Sequence, residues 1–103
     1  VSALDLAAQA AAMQAVVHLT RMAAGSGASE APTWTVDAAG AVVGQFSGPR
    51  ALMALDGWRQ TIGTHSVWSD RVAGGLRWTI VATVQDVMVR LVAVAPARTA
   101  VAV

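Results

Sequence analysis

The chain contains no cysteine, no lysine and no tyrosine, and only one phenylalanine. Without cysteine there is no disulfide, no thiolate metal ligand and no cysteine nucleophile. Without lysine, all seven basic side chains are arginine. No side chain then titrates between histidine and arginine, roughly pH 7 to 12. The pI of 9.3 is therefore the height of a nearly flat titration curve, and the net charge is only +1. It does not describe a basic nucleic-acid patch, and a net charge near zero favours association. Charged residues make up 13% of the chain, about half the usual globular share of about 25%. The two histidines, His18 and His65, lie far apart and outside any metal-ligand spacing, so no metal site is expected. No run approaches the ~18 apolar residues of a membrane span. Val1–Ala24 carries Asp5, His18 and Arg21 and lacks a basic leading region, so it does not read as a signal peptide. A cytoplasmic protein without a membrane partner is the expectation.

What the chain has in plenty is small apolar residues. Its 103 residues form one domain by length, 55% hydrophobic, with 23 Ala and 16 Val. That composition excludes disorder. It also exceeds what a core of this size needs, which points to a subunit interface.

Val1–Ala24 reads as a helix rich in Ala, Leu, Met and Gln with no Gly or Pro. At 100° per residue Leu4, Ala8, Ala11, Ala15, Leu19 and Met22 share one face, and Leu6, Met13 and Val17 share a second. A helix resting on one core needs one stripe; two stripes imply two packing partners, its own sheet and a second subunit. A Gly/Ser/Pro-punctuated loop follows over 25–32. Residues 33–46 read as a hairpin around Asp37-Ala38-Ala39-Gly40, a type I turn with a glycine bulge, which sets Val36 against Val42 and Trp34 against Gly44. Residues 47–62 read as a second helix, capped by Ser47 or Gly48, with Pro49 at its first position, a stripe of Ala51, Leu55, Trp58 and Ile62, and a stop at Gly63. Gly57 in its interior suggests a close approach by a neighbouring element.

Residues 64–95 read as a three-stranded meander. A Gln85-Asp86 turn pairs Val84 with Val87, Ala82 with Val89, Ile80 with Leu91 and Trp78 with Ala93, all apolar. The reverse face carries Arg77 and Arg90 among Val81, Val92 and Val94, and some covering element or partner is expected there. A three-residue Ala73-Gly74-Gly75 loop would place Trp68 opposite Ile80 on the core side, with Asp70 awkwardly opposite Trp78. Residues 96–103 form a tail. The expected fold is α+β, a single domain with a five-stranded, mainly antiparallel sheet and two helices in the order αββαβββ.

Chemistry is sparsely signalled. Trp34, Trp58, Trp68 and Trp78 are candidates for a pocket taking an apolar or planar ligand. As each falls on the apolar face of its element, core or interface anchoring is the stronger reading. Base stacking requires aromatics interleaved with basic residues on an open sheet face, and Arg77 and Arg90 share theirs with valines. His65, Ser66, Ser69 and Asp70 hold the letters of a hydrolase triad, but alternate strand positions point to opposite sides. There is no Gly-x-Ser-x-Gly elbow. The carboxylates Asp5, Glu30, Asp37, Asp56, Asp70 and Asp86 are each explained by local structure. No catalytic residue and no cofactor is therefore expected.

The element order resembles that of the roadblock/LC7 domain, over Val1–Ala95 and in topology alone. That resemblance implies a sheet between helices and a dimer that scaffolds other proteins. The stretch Trp34-Thr35-Val36-Asp37 through Gly40 and Gly44, then Trp58-Arg59 through Ile62-Gly63, is similar to small uncharacterised proteins of high-GC actinobacteria. It implies no activity. The expected function is a non-enzymatic, homodimeric protein-interaction module, with Leu6, Met13, Val17, Val81, Val92 and Val94 at its contacts. A Trp-lined ligand-binding protein is the alternative, and a nucleic-acid-associated accessory protein a weaker one.

Overall fold

The first hairpin forms because Asp37 caps its own turn. In the computed structural model, which describes residues 6–26, 30–63 and 66–96, Asp37 Oδ1 accepts from the amides of Ala39 at 2.9 Å and Ala41 at 3.0 Å. Gly40 takes φ 87°, the left-handed conformation that the bulge requires. The strands β1 (Thr33–Val36) and β2 (Val42–Phe46) then pair with Val36 opposite Val42 and Trp34 opposite Gly44, as the sequence predicts.

The other elements are α1 (Leu6–Ser26), α2 (Ala51–Ile62), β3 (Val67–Val72), β4 (Gly75–Val84) and β5 (Val87–Pro96). They make an α+β fold whose sheet runs β1-β2-β5-β4-β3. Every neighbouring pair is antiparallel except β2 and β5, which run parallel. To join β2 to the far edge strand β3, α2 has to cross β5 and β4, and it packs against β5, β2 and β4. Helix α1 lies beside α2 and reaches β1 and β5. Both helices contribute to one core: Ala12, Ala15, Leu19 and Ala23 from α1, and Ala51, Leu55 and Trp58 from α2. Beneath them lie Val42, Phe46, Ile80, Val87, Val89, Leu91 and Ala93. Among the described residues no helix covers the other face of the sheet, so the covering element expected over Val81, Val92 and Val94 is not supplied by either helix.

Four local expectations are corrected. The core stripe of α1 is rotated, so Ala12 and Ala23 are buried while Ala11 and Met22 are exposed; Leu4 lies outside the described residues. With small side chains on every side, rotation of this helix is set by what it meets rather than by its own pattern. Helix α1 also runs on to Ser26, taking in the start of the expected loop. Helix α2 begins at Ala51 with Arg50 at its N-cap and no side-chain cap, because Gly48 at φ 91° forms a turn first, the Ala51 amide donating to the Gly48 carbonyl at 3.2 Å. And a Cβ built on Gly57 would meet nothing within 4 Å, so no element approaches there. The stop is as expected: Gly63 adopts φ 78° and donates to the Arg59 carbonyl at 2.8 Å.

The largest correction concerns β3. The connection to β4 is the two-residue turn Ala73-Gly74, with Gly74 at φ 93° and Gly75 at φ 154°, and Val72 faces Gly75. Trp68 therefore sits opposite Thr79 and Asp70 opposite Arg77. Because strand side chains alternate, the shift moves both to the open face and puts Val67 on the core side, opposite Ile80. The awkward buried carboxylate disappears: Arg77 donates to Asp70 Oδ1 from Nε at 3.1 Å and to Oδ2 from Nη2 at 2.7 Å. The β4–β5 hairpin keeps the expected register throughout, with Gln85 and Asp86 at φ 51° and 65°.

Candidate functional site

The outward side of α1 exposes a row of large apolar side chains. Seven- and four-residue steps set Leu6, Met13 and Val17 in one row, away from the buried alanines. They are 82%, 59% and 48% exposed. Ala10 and Ala24 extend the row and are also exposed. No acidic residue lies within α1; His18 and Arg21 flank the row on one side. Beside it runs an open groove of about 360 Å³, lined by Met13, Gln14, Val17, His18 and Arg21 and by Gln85 from the β4–β5 turn. Gln85 is not marked out by the sequence. It comes from a distant hairpin, and only the packing of α1 across the sheet brings it here.

The open face of the sheet is the second surface. Val81, Val92 and Val94 lie on it, each half-buried by its neighbours. They stand on the side of the sheet opposite to α1, so the expected contact residues form two separate patches. Register adds Trp68, which the sequence pattern places on the core side. One line crosses all five strands: Thr33, Gln45, Val92, Thr79 and Trp68. Arg77, paired with Asp70, flanks it on one side and Arg90 on the other.

The four tryptophans do not converge. Trp34 and Trp58 pack edge to face, centroids 5.7 Å apart at 72°, and Phe46 tilts against Trp58 at 6.2 Å. Trp58 is 3% exposed and its Nε1–H donates to the Glu30 carbonyl at 2.8 Å. Trp58 is a core anchor with its polar edge satisfied, and the half-buried Trp34 packs against it. Trp78 lines a separate cleft of about 210 Å³ with Leu52, Leu55, Val67 and Ile80, rimmed by Asp56 and Arg59. That rim is internally paired, Arg59 donating to Asp56 from Nε at 3.0 Å and Nη2 at 2.9 Å. Trp68, expected on the core side, is 47% exposed on the opposite face.

Of the triad letters, His65 lies outside the described residues. Ser69 falls on the core side of β3 and Asp70 on the open side, committed to Arg77. Among the described residues no three metal-ligating side chains cluster, and no helix is long and apolar enough to cross a membrane. Comparison with known proteins gives no significant match: no family model fits the chain, and neither a curated protein nor a solved structure matches it.

Proposed function

We propose that the chain is a non-enzymatic interaction module that pairs with a second copy of itself through the outer row of α1. The observation that carries this reading is the exposure of Leu6, Met13 and Val17 in one row beside a groove. A closed two-fold dimer buries the same patch on both copies, so one such contact uses either α1 or the sheet face. The row on α1 exposes more of each side chain than Val81, Val92 and Val94 do, and its alanines permit close helix approach. The net charge of +1 offers little opposition to pairing. The element order resembles that of roadblock/LC7 domains, which dimerise to scaffold other proteins, but the sheet between helices that this resemblance implies is not formed by α1 and α2, which lie on one face and leave the sheet face of each copy for another partner.

Sedimentation velocity at micromolar concentration tests it. Twice the chain mass is expected for the wild type, and the chain mass for Met13→Glu combined with Val17→Glu. Both positions are exposed, so circular dichroism should stay unchanged. A wild type that sediments as a monomer, or a double variant that stays dimeric, refutes the assignment.

A further inference from the structure

The cleft on the open sheet face has the parts of a binding site for a planar anion. It measures about 350 Å³, within the range of small-molecule pockets, ~300–1,000 Å³. Its floor is Thr79 and Val92, two short side chains adjacent across the β4–β5 ladder. Thr79 is 3% exposed, the one buried polar residue among those described. Trp68 stands on β3 at one end and Gln45 on β2 at the other. Two strands lie between them, so at about 4.8 Å per spacing their backbones are roughly 14 Å apart. That span admits one or two fused rings lying against an indole.

The charges are unequal in a way that specifies the ligand. Arg77 is already neutralised by the two-pronged pair with Asp70. Arg90 has no carboxylate within ion-pair distance among the described residues. A free guanidinium lining the same cleft as an exposed aromatic face recognises a flat molecule that carries a carboxylate or phosphate.

We propose that this cleft binds a small aromatic anion, its ring stacked on Trp68 and its acidic group on Arg90. The site is independent of the row on α1, which lies on the other side of the sheet, so self-association through α1 leaves it open.

The test is an amide-resolved NMR titration of the full chain with two probe pairs: 2-naphthoate against 2-naphthamide, and AMP against adenosine. Saturable shifts at Gln45, Thr79, Arg90 and Val92 are expected with at least one anion, and binding at least tenfold weaker for its uncharged counterpart. The pair that responds distinguishes carboxylate from phosphate. Arg90→Gln and Trp68→Ala should each weaken binding at least tenfold while circular dichroism stays native. Asp70→Asn should strengthen it several-fold by freeing Arg77, a gain that a merely structural role for the ion pair would not give. No saturable shift up to 10-fold excess over millimolar protein overturns the proposal. So does binding unaffected by Arg90→Gln, or binding of a single-stranded oligothymidylate where neither small anion binds.

Discussion

Gly44 lies directly beneath the ring of Trp34: a Cβ placed on it would come within 2.9 Å of Trp34 Cζ3, 2.7 Å of Leu91 Cδ2 and 3.1 Å of Pro32 Cγ. Trp34 is also held by the edge-to-face contact with Trp58, and Leu91 is 1% exposed in the core. Neither neighbour can give way without repacking. Gly44→Ala is therefore expected to destabilise the fold by about 1–3 kcal/mol, the usual range for overpacking. Urea denaturation reads this as a lower midpoint at an unchanged slope. A midpoint equal to that of the wild type would show that the strand bends enough to absorb the methyl group.

Gly57 is the opposite case. It sits inside α2, and a Cβ at this position would have no neighbour within 4 Å, so it carries the entropic penalty of glycine without a packing reason. Gly57→Ala should stabilise by about 0.5–1 kcal/mol. Thermal melting should show the gain, and a loss would mean that the unfolded chain or an association contact depends on this glycine.

Which features were legible in the sequence follows from how local their causes are. The Asp37–Gly40 turn, the Gly63 stop and the β4–β5 register each rest on residues a few positions apart, and each reads directly. Strand β3 does not. Its segment Val67-Trp68-Ser69-Asp70-Arg71-Val72 has apolar residues on both parities, so alternation fails to choose a face. Burial of Trp68 is the favourable choice by hydrophobicity, while the fold instead satisfies Asp70 with Arg77 and leaves Trp68 half exposed. The parallel β2–β5 pairing joins segments more than 40 residues apart and has no local signature. The exposed row Leu6, Met13 and Val17 is visible from periodicity alone. The cleft around Trp68 and Arg90 is hidden by the one-residue register difference, which decides whether an aromatic ring and a free arginine share a face.

Trp58 joins the helical and strand layers by both packing and polarity. Trp58→Phe retains much of the contact with Trp34 and Phe46 but removes the Nε1–H donor to the Glu30 carbonyl, a 2.8 Å bond. The loss should be about 1–2 kcal/mol, a hydrogen bond plus a partly desolvated carbonyl. Trp58→Ala should cost more, about 3–5 kcal/mol, through the cavity it leaves. Chemical denaturation of both variants separates the polar share from the packing share. Equal losses would show that the hydrogen bond dominates and that the ring packing is dispensable.

The Asp70–Arg77 pair should matter little to stability, despite its two-pronged geometry. The side chains are 40% and 45% exposed, and water screens such pairs to about 0–1 kcal/mol. A double-mutant cycle of Asp70→Ala and Arg77→Ala should return a coupling energy below about 1 kcal/mol, smaller at 1 M salt, where the Debye length falls to about 3 Å. Its structural consequence is larger than its energy. The alternative register would set Asp70 among core side chains opposite Trp78, and an unpaired buried carboxylate is strongly disfavoured. Asp70→Val removes that objection to the other register while adding a residue suited to either face. In that variant the NOE contacts between β3 and β4 should still place Trp68 opposite Thr79 if the Ala73-Gly74 turn sets the pairing. If the carboxylate sets it, Trp68 should move opposite Ile80, and the open-face cleft would lose its aromatic wall.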